Sequence, residues 1–433
     1  MAFEFQKVAF NFANMKTLPR YITSRLLQAL NVSPVVFLNG ARQSGKSTLV
    51  QNLREQIGHK NSPAAYVSFD RPTQMAAASS SPESFLSSYK DTLIIDEVQL
   101  VPELFRALKV VVDDLRLQDK SNANGRYLLT GSANILALPK LSDPLVGRMT
   151  VLTLYPFCTA EASQGQGNGL DRLVNLDFEN MSDRGLGITD AMKLATFPEI
   201  ADKESSERNI WFDGYLTTIL QRDVRLIAEL EKISVLPNLL RILATRAGNL
   251  LNDSDIARDL GLNPVTSKFY RNILKMMFLN FDIEPWFRNI GKRLVKSPKG
   301  YLIDTLMLCY MLDLDIEDIE RNKPDLFGHI LENYIATELT KQLTFSETRA
   351  KLLHFRTGDG KEVDFVLERP DGSLFAIEIK KSESVNIHDF KGIQVLAELA
   401  AKDFIGGVVL YSGKDAVPFG KNLWAVPFHV LWQ

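Results

Sequence analysis

The chain has 433 residues, enough for two to four domains, and its 45% hydrophobic and 24% charged residues are the proportions of an ordinary soluble protein. A formal net charge of −2 excludes a globally basic chain drawn to nucleic acid or membrane, so any basic patch must be local. Cys158, Cys309 and the five histidines have no disulfide-framework or zinc-site spacing and no apolar run reaches membrane-spanning length, so the expectation is a cytoplasmic protein with reduced core thiols and no membrane partner.

Residues 1–19 read as a loose arm without the features of a signal peptide. Tyr21 to Leu30 has helical apolar spacing, and Val35-Val36-Phe37-Leu38-Asn39 reads as a buried strand. Then comes Gly40-Ala41-Arg42-Gln43-Ser44-Gly45-Lys46-Ser47, which fits G-x-x-x-x-G-K-[ST] at every fixed position, with Thr48 to Arg54 opening a helix. The glycines let the backbone turn its N–H groups inward around phosphates, and the helix start adds positive potential. Lys46 is expected to reach the β- and γ-phosphates of a nucleotide, and the Ser47 hydroxyl to bind Mg²⁺.

Ala64 to Asp70 reads as a second strand that Arg71-Pro72 stops, and the Ser-rich stretch Ala78 to Ser81, closed by Pro82, as a loop. Thr92-Leu93-Ile94-Ile95-Asp96-Glu97 is an apolar strand ending in two carboxylates. Asp96 is expected to hold the Mg²⁺ shell and Glu97 to polarise an attacking water. Pro102 to Leu115 has helical spacing, and Arg126 to Asn134 is a strand ending in polar residues. Thr130, Ser132 or Asn134 is a candidate sensor of the γ-phosphate, and an ordinary strand exit explains any one of them nearly as well. Arg148, just before a strand at Met149 to Leu154, is a candidate finger for transition-state charge; a structural arginine is the alternative. Strands alternating with helices predict a largely parallel, doubly wound sheet with its ligand at the carboxyl ends of the strands.

Beyond Phe157 the pattern changes. Residues 163–170 read as a flexible insertion, and residues 185–230 as helical, broken at Thr196-Phe197-Pro198-Glu199-Ile200. Asn252 to Leu262 reads as a capped helix ending in glycine and Asn263 to Leu274 as a second helix, a helix-turn-helix pattern. Ile283 to Lys299, with Arg288, Lys292, Arg293, Lys296 and Lys299, would supply a β-wing. DNA binding and a winged helix used for protein contact both fit. Near the end, Leu331 to Leu339 reads as a helix, Lys351 to Arg356 as a strand, and Glu362–Glu368 with Leu374–Lys380 as a hairpin across Pro370-Asp371-Gly372. A further strand is expected at Gly407 to Tyr411.

Asp364, Glu378 and Lys380 fall on adjacent strands of that hairpin, with Glu332 on the earlier helix. Two carboxylates would hold a second divalent metal there, and Lys380, two residues after Glu378, shares its face. This pattern resembles the PD-(D/E)xK nuclease superfamily over about residues 327–415. A nuclease-like fold whose residues are structural, or which only binds DNA, is the alternative.

With Gly40 to Ser47, Leu93 to Glu97, Leu129 to Ser132, Gly147-Arg148, Tyr215 to Val224 and the 362–380 hairpin in hand, the chain resembles a widespread prokaryotic group of AAA-type ATPases with a C-terminal domain of unknown function. The resemblance implies an α/β phosphate-loop core, a helical and winged-helix part, and a C-terminal α/β restriction-endonuclease-like domain. It implies ATP and Mg²⁺ as cofactors. The expected units are an arm (1–19), an ATPase core (20–160), a helical lid and linker (161–230), a winged-helix-like unit (231–320) and a nuclease-like unit (321–433). Three functions follow: an ATPase coupled to DNA-related work, a nucleotide-gated switch that binds a protein partner, and an ATP-regulated, metal-dependent DNA nuclease. Assembly into oligomers is compatible with each. Two departures from the group stand out: Thr196 to Glu199, where glycines would precede the aromatic, and the lack of a clear second sensor arginine.

Overall fold

The computed structural model describes residues 18–58, 63–118, 123–133, 145–179, 181, 185–227, 232–289, 291 and 296–433. The expected arm, apart from residues 18 and 19, lies outside them, as do Asn134, Lys292 and Arg293.

Among the described residues the first half holds a five-stranded, all-parallel sheet in the order β2-β3-β4-β1-β5. Its strands are β1 (Val35–Asn39), β2 (Ala65–Ser68), β3 (Leu93–Asp96), β4 (Tyr127–Gly131) and β5 (Met149–Thr153). The three central strands β1, β3 and β4 are buried at every position, which is why they read as unbroken apolar runs rather than alternating ones. Helices Thr23–Val32 and Leu104–Gln118 follow the predicted apolar spacing.

Two expectations are corrected. The Ser-rich stretch at Ala78 to Ser81 is no loop: helices Pro72–Ser80 and Pro82–Ser87 meet there, each with its proline in the first turn. Proline lacks only an N–H that is unpaired in that turn anyway, so it opens these helices instead of breaking them. The expected flexible insertion at 163–170 is held in place by the chain's end. Gln166 N–H donates to the Gln433 carbonyl, and a β-carbon on Gly165 would stand 2.5 Å from the Trp432 carbonyl oxygen.

A helical region follows, with Ile188–Leu194, Ser205–Thr218, a π-helical turn Ile219–Asp223, and the pair Asp253–Leu260 and Pro264–Met276. Asn252 and Asn263 cap that pair, and Gly261 makes the turn at φ 62°. Among the described residues the last sheet has eight strands, in the order β12-β13-β11-β10-β9-β8-β6-β7. They are β6 (Asn280–Pro285), β7 (Lys299–Leu302), β8 (Lys351–Arg356), β9 (Glu362–Glu368), β10 (Leu374–Lys380), β11 (Phe404–Tyr411), β12 (Val417–Gly420) and β13 (Leu423–Pro427). The β6–β7 ribbon flanks the 283–299 stretch, and β6 also pairs with β8, joining the ribbon to the C-terminal strands. The long helix Pro324–Gln342 is buried along most of its length because it touches both halves. Its Glu338 accepts from Thr159 N–H, and its Lys341 donates to the Phe157 and Ala195 carbonyls. Among the described residues no helix is long and apolar enough to cross a membrane.

Candidate functional site

The register of the first sheet gathers the predicted phosphate chemistry at one end. Asn39 pairs with Gly131 and Ile95 with Leu129, so the loop after β1, the acids ending β3 and the exit of β4 converge. The loop is a tight cradle. Gly40 has φ 151° and Gly45 φ 93°, and a β-carbon on Gly40 would come 2.0 Å from the Leu154 carbonyl oxygen. Lys46 is buried, with Nζ donating to the Gly40 and Ala41 carbonyls at 2.9 and 2.7 Å. Burial lowers its pKa to about 8, with Glu97 and Asp96 pulling it back up. Ser47 is half-buried and Thr48 exposed in the first turn of helix Lys46–Asn52, and the Ser44 hydroxyl is buried without a hydrogen-bond partner. A Gly40 with no room for a β-carbon, a Gly45 at positive φ, a buried lysine and an orphan hydroxyl suit a nucleotide's phosphates.

Asp96 is held by hydroxyls: Tyr66 donates at 2.6 Å and Thr130 from the other side. Glu97 sits in the left-handed region at φ 58°, off the end of the strand, where the Gln99 side chain and Ser132 hold its carboxylate. Burial raises its pKa, and Lys46 and Gln99 oppose that. Glu97 and Ser132 share a small cleft with Arg42, Asp70, Arg222 and Asp223.

Several of these neighbours were not predicted. The helix Ser205–Thr218 widens into the π-helical turn Ile219–Asp223, which sets Asp223 against Arg42 at 2.9 Å and puts Arg222 at the cleft. Such turns recur at functional sites. Read as one regular helix, the stretch gives no hint of them. Arg20, at the edge of the expected arm, donates to the Ser44 carbonyl (2.6 Å), the Tyr155 carbonyl (2.6 Å) and Glu161 (3.0 Å), bracing the loop from behind. No local pattern marks it.

Arg148 is not brought to this cleft. Met149 pairs with Val35, so Arg148 lies at the opposite end of the sheet from the loop after Asn39. Asp113 binds its guanidinium through both oxygens, at 2.6 and 2.9 Å. The position reads well for a finger in sequence, but five residues of extended strand, about 16 Å, separate it from its own phosphate loop.

At the C-terminal hairpin the structure brings Asp364, Glu378, Lys380 and Glu332 together. Phe365 pairs with Ile377, and Asp364 accepts from Ile379 N–H at 2.9 Å. Lys380 lies 3.2 Å from Glu378. Lys299 at the start of β7 was expected in a basic wing, but it is buried 2.8 Å from Glu332 and 3.8 Å from Asp364. Tyr301 also donates to Glu332 at 2.7 Å. Burial and the neighbouring Glu332 push Asp364 up to about 7, against the pull of Lys299. Burial and Asp364 push Glu378 well up. Two carboxylates suit a divalent cation, and the Lys299 ammonium already offsets part of this cluster's negative charge. Among the described residues no three His, Cys, Asp or Glu side chains are grouped to hold a metal ion.

Residues 32–163 match the family described as AAA domain. Residues 188–318 match a domain of unknown function (DUF8612), and residues 327–431 another (DUF4143). An uncharacterized protein of Mycobacterium tuberculosis is 28% identical over 412 residues, covering 94% of this chain and 83% of that protein. One of Haemophilus influenzae is 22% identical over 406 residues, covering 88% and 91%. Among solved structures, AMPPCP-bound DnaA from Aquifex aeolicus is 14% identical, covering 59% of this chain and 85% of that one, with a TM-score of 0.29. The McrB hexamer assembly with McrC from Thermococcus gammatolerans is 12% identical, covering 46% and 72%, at 0.19. Scores this low carry no argument about this chain. The convergent phosphate loop and strand-end acids lie within residues 32–163, which belong to the AAA domain family, and residues 327–431 belong to a domain family of unknown function.

Proposed function

We propose that the chain binds ATP with Mg²⁺, hydrolyses it, and couples the cycle to work on DNA through its later segments. The observation that carries the hydrolytic part is the meeting of Lys46, Asp96 and Glu97 at the carboxyl ends of β1 and β3. Gly40 to Thr48 would cradle the phosphates, and Lys46 would exchange two loop carbonyls for β- and γ-phosphate oxygens. Ser47 and Asp96 would hold Mg²⁺, which supplies charge neutralisation across the phosphates. Thr130 and Tyr66 keep Asp96 pointed. Glu97, steadied by Gln99 and Ser132, would orient and deprotonate the attacking water.

Arg148 would act only on a neighbouring copy in an oligomer. The working division is an ATPase core over 20–160, a lid and linker over 161–230, a winged-helix-like unit over 231–320 and a nuclease-like unit over 321–433. Of the other two readings, the Lys299 ammonium between Glu332 and Asp364 favours a non-cleaving switch with a protein partner over a metal-dependent nuclease using Asp364, Glu378 and Lys380. Phosphate release from ATP, with and without duplex or single-stranded DNA, tests the proposal. Turnover that DNA stimulates supports it. Turnover indifferent to both DNAs overturns the DNA coupling, and no turnover overturns the hydrolysis.

A further inference from the structure

A cavity of about 650 Å³ opens between the end of β6 and the end of β8, away from the phosphate loop. One wall is built by residues 285–289 and 296–297, the other by residues 354–358. Trp286 and Phe355 line it with rings that are mostly buried, 6.0 Å apart and edge to face. Leu250 and Leu399, large apolar residues left 40% and 48% exposed, lie at its margin. Arg288, Lys296 and Arg356 also line it, and no Asp or Glu does among the described residues. Arg356 is shared with Glu362 at 3.6 Å, yet its side chain stays 48% exposed. A chain with a net charge of −2 thus carries a local basic rim around an aromatic hollow.

The floor holds an unmet demand. His354 is 2% exposed and lines the cavity, yet neither ring nitrogen makes a well-formed hydrogen bond. Burial first, and then Lys299, push its pKa down to about 4; a backbone group of Ser297 pulls weakly the other way. At neutral pH the ring therefore offers one N–H and one lone pair. A buried polar group in this state calls for a partner.

We propose that this cavity takes a nucleotide unit of a single-stranded nucleic acid. The base would enter beside Trp286 and Phe355, its donor and acceptor edge would meet His354, and the flanking phosphates would lie on Arg288, Lys296 and Arg356. Stacking on aromatic rings with a basic track for the backbone is how single strands are held without strong sequence preference. A duplex cannot offer the same fit, because its bases are stacked and paired. The inference deepens the DNA reading proposed above by naming the strand form and the place that holds it.

The test is fluorescence anisotropy of a labelled 20-nucleotide DNA strand with the full chain, without ATP, across a salt series. RNA of the same sequence, the duplex and a mononucleotide serve as competitors. Lys296→Glu combined with Arg356→Glu should weaken binding tenfold or more and flatten the salt slope by about 1.4, the loss of two phosphate contacts. His354→Leu should weaken it severalfold, and strand binding should quench tryptophan emission in the wild type but not in Trp286→Phe. Thermal melting and ATP affinity of each variant report whether the fold survives. Full affinity in both rim and His354 variants that melt normally overturns the site. A duplex or mononucleotide competing as well as the strand also overturns it, while RNA competing equally supports it. ATP turnover indifferent to every DNA, with cavity-dependent strand binding intact, would overturn the coupling and leave this site standing.

Discussion

The two lysine–carboxylate clusters of this chain use the same residue types and end in opposite states. At the phosphate loop, Lys46 donates to the loop's own carbonyls while Asp96 and Glu97 lean on hydroxyls and an amide. Each charge there keeps capacity for a ligand. In the C-terminal cluster the lysines satisfy the acids directly: Lys299 sits on Glu332 and near Asp364, and Lys380 on Glu378. Even so, Glu378 Oε2 stays buried without a hydrogen-bond partner, and Asp364 and Glu378 hold their protons above the usual carboxylate range. Composition alone therefore does not distinguish a binding site from an internal ion network; what distinguishes them is which partner each charge already has.

The comparison breaks first at Glu97. Glu97→Gln should lower steady-state phosphate release by about 10²–10⁴-fold with nucleotide affinity nearly unchanged, because the water loses its base while Lys46 and Asp96 stay in place. Glu378→Gln should leave turnover as it is. Equal effects from the two substitutions would erase the distinction. Next comes Lys299→Met. It leaves Glu332 and Asp364 facing each other with no cation, at a cost of about 3–5 kcal/mol in denaturant unfolding at neutral pH. Millimolar Mn²⁺ should recover part of that loss in the variant and do little to the wild type. An unchanged unfolding midpoint would show that the ammonium is not what closes the cluster.

Glu338, on the same helix as Glu332, tests the cost of burying an acid. Burial raises its pKa to about 7 from an ordinary 4.5, against Lys341 and the Thr159 amide. The folded state then keeps a proton that the unfolded chain releases. This group's contribution is present below about pH 4.5 and is lost as pH rises through 7, by on the order of 3 kcal/mol. Comparing unfolding midpoints of wild type and Glu338→Gln from pH 5 to 8 should show a shallower loss in the variant, the rest of the slope coming from Asp364 and Glu378; parallel curves would refute it. The smallest effect is expected at Arg148. Its pair with Asp113 lies at the surface, so Arg148→Ala should cost less than about 1 kcal/mol of stability. If the arginine serves a neighbouring copy, turnover rises with protein concentration, falls in the variant, and returns in part on mixing with Lys46→Ala. Absence of all three would make it a structural arginine.

Much of the fold could be read in advance wherever the information is contiguous. The run from Val35 to Ser47 predicted strand, loop and helix because adjacent residues alone decide those turns. The 362–380 hairpin was readable from alternation and one turn, and so was the neighbourhood of Asp364 and Glu378. Misreadings came where a signal has two meanings: Pro82 reads as a stop but opens a helix, and glycines at 163–170 read as freedom but make room for the chain's last residues.

The sequence by itself determined the phosphate loop, the acids that end β3, the parallel sheet and the capped helix pair, because each depends on local backbone preference and apolar period. Tertiary structure alone decided three things. It placed Arg148 at the far end of the sheet, because strand register is fixed by pairing partners more than a hundred residues apart. It drew Arg20 and Asp223 to the phosphate loop, because buried charges take whatever partner packing brings within reach. And it gave Lys299 to Glu332 and Asp364, so that a lysine expected on a basic wing pairs with buried acids instead, the ion pair offsetting part of what their burial costs.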